Sequence, residues 1–156
     1  VFFVRPAGQS DAELGSYIYK LPVNQSFTCE AGFKIWGFPK TVEEIEFAYA
    51  DDSATCKLVM GGQHVLTLTV PRGGEGSTED TAATGYTLIE GVPHHNEFVR
   101  GGEGEQTVPG GEGVVLELGD HALAEELRSL GLETAAPILS AWSEHMRGSF
   151  GQSFKL

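Results

Sequence analysis

The sequence has 156 residues, of which 40% are hydrophobic and 21% charged, enough for one domain with an apolar core. Its 22 acidic residues against 10 Lys plus Arg give a net charge of −12, which argues against nucleic acid or an anionic membrane surface as a partner. No apolar run approaches the roughly 20 residues of a transmembrane helix. Cys29 and Cys56 are too few for a disulfide scaffold, so we expect reduced thiols in a cytoplasmic protein, with one disulfide as the alternative.

The first half of the chain is predicted to form short strands. Val1 to Val4 is apolar and resembles the middle of a strand, and we expect the natural polypeptide to have further residues before it. Alternating apolar positions predict further strands, over residues 16–23, 27–32, 41–50, 54–60 and 64–70. The expected product is a meander of antiparallel strands able to curl into a barrel or cone.

Glycine-rich segments interrupt the middle of the chain. Gly-Gly-Glu-Gly begins at Gly73, Gly101 and Gly110. Each copy carries a carboxylate and lacks the Lys-Ser/Thr of a phosphate-binding loop, so we expect flexible acidic loops. Residues 73–84 are predicted to be a loop, and 86–89 and 114–118 are predicted strands.

The last third of the chain is predicted to be helical. Asp120 is expected to cap a helix that ends at Gly131, and Pro137 is expected in the first turn of a second helix that runs to about Met146. The prediction is therefore an α+β fold, mostly antiparallel β. A strongly bent sheet would form a cone or barrel with two C-terminal helices, in a single domain over residues 1–156.

One lysine follows a rigid apolar segment, Ile35-Trp36-Gly37-Phe38-Pro39-Lys40. Pro39 fixes its own backbone and favours an extended Phe38, which predicts a bend. A lysine held there among aromatic rings can point its amine inward, where desolvation favours the neutral form. A neutral amine attacks carbonyl carbon, and the resulting iminium accepts an electron pair. The alternative is a solvated surface lysine whose stem lies over a neighbouring ring.

The same segment resembles the acetoacetate decarboxylase superfamily. The similarity runs from Gly15-Ser16-Tyr17 through Gly32-Phe33-Lys34 to Lys40, where the family typically has Gly-Arg-Glu, an apolar pair and Gly-Phe-Pro-Lys. A second similarity covers 116–123, and a third, weaker one covers 86–88. The resemblance implies a cone-shaped antiparallel sheet around an apolar cavity, usually in homo-oligomers.

The resemblance also implies an activity. Lys40 would be the catalytic Schiff-base residue of a carboxy-lyase that acts on a small 3-oxo acid such as acetoacetate, without metal or organic cofactor. Acetoacetate decarboxylase is itself a known example of a lysine activated by desolvation or by a cationic neighbour. Phe38 would help to keep the substrate pocket dry, and Trp36 and Thr41 are predicted to be its further pocket residues. The expected partner is the oxo acid, with no nucleic acid and no membrane.

Several departures from the family pattern keep other functions open. Thr41 stands where the decarboxylases have a second lysine, and the family's catalytic arginine and glutamates lie upstream of the matched region. Lys34 is a candidate for the missing charge, although a solvent-facing strand position is expected for it. Arg72 and Arg100 are candidates for the cation that binds an anionic substrate. The alternatives are an aldolase- or dehydratase-type enzyme on 2-oxo acids using the same lysine, and a non-catalytic small-molecule-binding β-cone.

A metal site is the competing interpretation of the segment His94-His95-Asn96-Glu97. Imidazole and carboxylate groups on a β-barrel can hold zinc or iron. Adjacent histidines on a strand point to opposite faces, however, and the His-x-His spacing of cupins is absent. We therefore expect no metal and interpret His94 and His95 as loop residues.

Overall fold

The computed structural model describes residues 2–8, 14–77, 80–103 and 105–156. Neither helix in this described part of the chain has the length and hydrophobicity needed to cross a bilayer. In chain order the elements are β1 (Phe2–Val4), β2 (Gly15–Tyr17), β3 (Leu21–Val23), α1 (Ser26–Trp36), β4 (Lys40–Val42), β5 (Glu44–Tyr49), β6 (Ser53–Met60), β7 (Gln63–Pro71), β8 (Glu75–Ser77), β9 (Thr81–Ile89), β10 (Val92–Glu103), β11 (Glu105–Pro109), β12 (Val115–Leu118), α2 (Ala122–Ser129), β13 (Leu139–Trp142), β14 (His145–Phe150) and β15 (Phe154–Lys155).

The elements fall into two compact units. The first comprises Val1–Val42, Glu79–Gly101 and Met146–Leu156, and the second comprises Glu43–Thr78 and Gly102–His145. Most strand pairs in both units are antiparallel, so the class is α+β with strands dominant, as predicted. Within the described residues each sheet is open, and none closes into the predicted barrel.

The sheet of the first unit has the order β1-β2-β9-β10-β14, and β15 also pairs with β10. The hairpin from β9 to β10 turns at Glu90 and Gly91, which have φ of 51° and 78°, as a tight two-residue turn requires. Its register places Gly85 opposite Asn96, while the parallel pairing of β2 with β9 places Ser16 beside Gly85. These three residues therefore form a row across three neighbouring strands.

Residues 27–32 form part of helix α1, so the strand predicted there is wrong. The helix lies against β3, β4 and β9 and buries Gly32. Apolar residues at every second position over five residues fit either periodicity, and the longer run to Trp36 selects the helix. The chain leaves the helix at Gly37, whose φ of 67° is left-handed, and the N–H groups of Gly37 and Phe38 donate to the carbonyls of Phe33 and Gly32.

The second unit contains the predicted meander. Its larger sheet has the order β12-β7-β6-β5, and the hairpin from β6 to β7 turns at Gly61 and Gly62, with φ of 56° and 78°. The buried side chains of this sheet include Leu58 and Val65. Helix α2, which the helical pattern predicted, packs against β7 and β12.

The N-cap of α2 is one residue later than predicted. His121, not Asp120, caps the helix, because its Nδ1 accepts a hydrogen bond from the N–H of Leu123 at 3.0 Å. The helix buries Ala124 completely, and Gly131 follows its end with a φ of 76°.

The second C-terminal helix is a wrong prediction, since residues 137–146 contain β13 and the start of β14. The apolar positions that suggested a helical stripe do not share a buried face: Ile138 is 89% exposed and Met146 71%. Ser140 is the buried member of β13 instead. The two helices are thus one in each half of the chain rather than a C-terminal pair.

Two loop assignments are corrected in the same way. Residues 73–84, predicted to be a loop, contain β8 and the start of β9, and β8 pairs with β11. His94 and His95 lie in β10 rather than in a loop. Sheet pairing supplies backbone hydrogen bonds that the local sequence does not reveal.

Candidate active site

A short turn after helix α1 places Lys40. The N–H of Lys40 donates to the carbonyl of Phe38 at 2.8 Å, which closes a three-residue turn centred on Pro39. The fixed φ of proline suits this turn. The N–H of Leu21 donates to the carbonyl of Pro39 at 3.2 Å, and β4 then runs parallel to β3 from Lys40 onward. Helix end, turn and strand therefore fix the backbone of Lys40 from both sides.

The side chain of Lys40 crosses helix α1 at Gly32. A Cβ added to Gly32 would lie 2.7 Å from both Cδ and Cε of Lys40 and 2.8 Å from its Nζ, so only glycine leaves room for the side chain in this position. Nζ donates a hydrogen bond to the carbonyl of Thr28 at 2.9 Å. The thiol of Cys29 donates to the carbonyl of Lys40 at 3.3 Å. Glycine inside a helix costs about 0.5–1 kcal/mol relative to alanine, and here it provides close approach.

Lys40 lines a cavity of about 240 Å³ within the first unit. Most of the lining is aromatic or aliphatic, and it contains no carboxylate and no arginine among the described residues. The lining residues are Ser16, Ile18, Leu21, Phe38, Lys40, Gly85, Asn96, Phe98 and Phe150. A small ligand in this space would contact apolar side chains, with the amine of Lys40 among a few polar groups.

Aromatic rings form one wall of the cavity. Phe38 is only 3% exposed, and its ring centroid lies 5.4 Å from that of Phe150 and 6.2 Å from that of Trp36. Phe98 lies 5.9 Å from Phe150. The indole N–H of Trp36 donates to the carbonyl of Gly151 at 2.9 Å. Contacts of this kind hold the rings in place and keep apolar surface at the cavity.

The structure brings two of the four predicted site residues to the cavity. Lys40 and Phe38 line it. Trp36 contacts the rings of Phe38 and Phe150 but is not itself a lining residue. Thr41 is exposed, pairs with Pro22 in the β3–β4 register, and lies outside the lining as well.

The candidates for a second cation lie elsewhere. Lys34 is on α1 rather than on a strand, is 68% exposed, and forms an ion pair with Glu30 that lowers the pKa of that carboxyl group. Arg72 donates to the carbonyl of Ala50 at 2.7 Å within the second unit. Neither Arg72 nor Arg100 belongs to the cavity lining.

Sequence reasoning missed Asn96. Its side chain is completely buried, lines the cavity, and has no hydrogen-bond partner for either Oδ1 or Nδ2 among the described residues. It shares a strand face with Phe98, two residues along β10, which also lines the cavity. The available signal was a polar residue at an inward position of an alternating strand, and the loop interpretation of residues 94–95 obscured it.

The described residues contain no group of three or more His, Cys, Asp or Glu side chains arranged to hold a metal ion. Both cysteines are free thiols, and burial raises the pKa of Cys56. The site that remains is an apolar cavity containing a lysine amine and a carboxamide. An apolar cavity with a few polar groups is typical of small-molecule sites.

Comparison with known proteins identifies the family of the chain. The sequence model of the acetoacetate decarboxylase family matches residues 1–148, and the chain belongs to that family. The resemblance found at Gly-Phe-Pro-Lys is thereby confirmed. A search of curated protein sequences gives no significant match.

Solved structures support the same fold. One, from structural studies of acetoacetate decarboxylase, has a TM-score of 0.64 at 14% identity and covers 92% of this chain and 62% of its own. The crystal structure of acetoacetate decarboxylase from Legionella pneumophila subsp. pneumophila str. Philadelphia 1 has a TM-score of 0.64 at 15% identity, with 92% and 61% covered. The chain thus spans about three-fifths of the length of these relatives.

Proposed function

We propose that this protein carries out Schiff-base chemistry at Lys40 and decarboxylates a small 3-oxo acid such as acetoacetate. The observation that carries the proposal is the position of Lys40 in an apolar cavity whose described lining holds no carboxylate. Lys40 is half-buried there, and its amine is the nucleophile of the proposed reaction. The neutral amine is the form that attacks a ketone.

The reaction has four steps. The Nζ of Lys40 attacks the ketone carbon, and loss of water gives a protonated imine. The bond between C2 and the carboxylate then breaks, carbon dioxide leaves, and the electron pair moves through C2 to neutralise the imine nitrogen, which forms an enamine. Protonation of C2 restores an imine. Water hydrolyses this imine, releases the ketone and returns Lys40 to its starting state.

Two features support placing this chemistry at Lys40. The turn at Pro39, the helix end and the clearance at Gly32 hold the backbone and stem, so that the amine has a defined position. The hydrogen bond from Nζ to the carbonyl of Thr28 leaves the nitrogen lone pair of a neutral amine available. The carbonyl oxygen accepts a hydrogen bond from an N–H of the amine, and it does not occupy the lone pair of the nitrogen.

The shape of the sheet, the oligomeric state and the cellular location belong to the same proposal. Family membership supports a cone-shaped sheet around the cavity, homo-oligomers and a cytoplasmic location. The chain spans about three-fifths of the length of the solved relatives, and these features of the whole protein are therefore proposals.

Chemistry that retains the carboxylate is the second candidate. Thr41 replaces the second lysine expected in the decarboxylases, and Lys40 is the only cationic side chain in the described lining. An aldolase- or dehydratase-type reaction on a 2-oxo acid needs the iminium of Lys40 but does not release carbon dioxide.

Reductive trapping separates these candidates. The protein is incubated with acetoacetate or pyruvate, reduced with borohydride, digested and mapped by mass spectrometry. Decarboxylation before reduction leaves an isopropyl group on Lys40, whereas an imine that keeps its carboxylate leaves a carboxyalkyl group. Label spread evenly over Lys20, Lys34 and Lys57 would contradict Schiff-base chemistry at Lys40 and support a non-catalytic binding protein.

A further inference from the structure

We propose that the carboxamide of Asn96 binds the carboxylate of the oxo acid while Lys40 holds its ketone carbon. The inference rests on the proposed function only for the position of that carbon. It makes Asn96 the specificity-determining residue of the cavity. Three observations carry it: the burial of Asn96, its lack of protein partners among the described residues and the composition of the lining.

Burial of the Asn96 side chain is unfavourable, because no described residue replaces the hydrogen bonds that its carboxamide would make to water. The side chain is 0% exposed, and neither Oδ1 nor Nδ2 has a hydrogen-bond partner among the described residues. A buried carboxamide without partners destabilises a fold, whereas an apolar side chain of the same shape would not. A polar group retained under such conditions is expected where a ligand supplies the missing hydrogen bonds.

The sheet places a glycine next to the side-chain amide of Asn96. Asn96 is paired with Gly85 in the β9–β10 register, and Gly85 is beside Ser16 on the next strand. A Cβ at Gly85 would lie 2.7 Å from Oδ1 of Asn96, so a side chain there would displace the amide. The glycine therefore gives the amide its room, and all three residues of this row line the cavity.

The lining determines which part of the ligand Asn96 can meet. Apart from Lys40, Ser16 and Asn96, the described lining presents only apolar side chains and Gly85. In a small oxo acid the ketone carbon is bonded to Lys40, and the carboxylate is the remaining polar group. The two N–H bonds of a carboxamide are donors for carboxylate oxygen.

A neutral donor also suits decarboxylation. A guanidinium would stabilise the carboxylate more strongly, because charge-assisted hydrogen bonds are about twice as strong as neutral ones. The carboxylate loses its charge as carbon dioxide leaves, so strong ground-state stabilisation would be lost in the transition state. The amide holds the group with less of that penalty.

The test measures noncovalent binding where no imine can form. Acetoacetate and the uncharged ketone 2-pentanone are titrated by calorimetry into the Lys40→Met protein, alone and combined with Asn96→Leu. We expect Asn96→Leu to weaken acetoacetate binding by about tenfold or more, since a hydrogen bond to a charged group is lost. Binding of 2-pentanone should change by less than about twofold, and the urea midpoint should stay constant or rise.

Thr87→Val is the matched control. Thr87 is also buried, its Oγ1 also lacks a partner among the described residues, and it lies on the neighbouring strand β9 outside the lining. The substitution Thr87→Val should raise or maintain the urea midpoint without changing acetoacetate binding. Gly85→Ala provides a second way to displace the amide and should weaken acetoacetate binding even if Asn96→Leu does not fold.

The outcomes distinguish this inference from the proposed function. Equal binding of acetoacetate by the Lys40→Met proteins with Asn96 and with Leu at that position overturns the inference, as does a drop in the urea midpoint with equal losses for both ligands. Absence of trapping at Lys40 overturns the proposed function. If Asn96-dependent binding persists in that case, the inference about the carboxylate still stands.

Discussion

Two lysines in the two units line concave surfaces, but their surroundings differ. Lys40, in the first unit, lines an apolar cavity without a carboxylate in its described lining, and its Nζ contacts a backbone carbonyl. Lys57, in the second unit, lines a groove on the β5–β6–β7 face together with Glu46, which lies opposite it in the strand register. Lys57 is 45% exposed, and its Nζ is 3.4 Å from a carboxylate oxygen of Glu46.

The two lysines therefore differ in the groups that surround their amines. Lys57 lies on an exposed strand face, and a carboxylate oxygen of Glu46 lies beside its amine. At Lys40 the described lining provides neither an anionic partner nor a polar wall. A concave surface beside a lysine is therefore not enough to select a candidate site, and the two lysines differ in whether a described carboxylate lies beside the amine.

The strongest test of the comparison exchanges each lysine for methionine. Lys40→Met should reduce the yield of borohydride-trapped oxo-acid adduct by at least about a hundredfold, because the nucleophile is lost. Lys57→Met should leave the yield within about twofold, since an exposed ion pair contributes little to the fold. Peptide mapping after reduction measures both. Equal losses in the two variants would refute the distinction between the lysines.

The next largest difference is expected between one phenylalanine ring in each unit. The measured quantity is the free energy of unfolding in urea. Phe38→Ala removes a ring that is 3% exposed and should cost about 3–5 kcal/mol. Phe47→Ala removes a ring on β5 of the second unit that is 55% exposed and should cost about 1 kcal/mol or less. Similar losses would mean that Phe38 is not a principal part of the packing around the cavity.

The smallest expected effect concerns the clearance for Lys40. Gly32→Ala should slow trapping by about tenfold, because the new Cβ displaces the end of the lysine side chain. Stability should stay constant or rise by up to about 1 kcal/mol, because alanine favours the helix. The control is Gly148→Ala, where an added Cβ meets nothing closer than 3.8 Å. Unchanged trapping in Gly32→Ala would show that the close approach at Gly32 has no role in placing the amine.

The sequence was sufficient to find the candidate lysine, because the information is local. Proline and glycine restrict the backbone around Phe38 and Lys40 whatever the surroundings, and the turn, the buried Phe38 and the inward lysine all follow from that segment. The hairpin at Gly61-Gly62 was predictable for the same reason. The predicted catalytic role of Lys40 stays a prediction until trapping is performed.

Errors occurred where short patterns fit two periodicities. Residues 27–31 alternate like a strand, yet they lie in a helix that continues to Trp36. Residues 138–146 have helical spacing, yet they contain strands that pair with β11 and with β10. The energy that decides such cases comes from pairing and burial against distant segments, and it exceeds local propensity.

Thus the amino-acid order alone determined the strand-rich class, the bend before Lys40 and membership of the acetoacetate decarboxylase family. Tertiary structure decided which groups share the cavity with that lysine. Asn96 is 56 residues away from Lys40 in the chain, and only the register of β9 with β10 and of β2 with β9 brings it into the lining beside Gly85 and Ser16. Strand register depends on long-range pairing, because each shift by one residue exchanges the inward and outward faces.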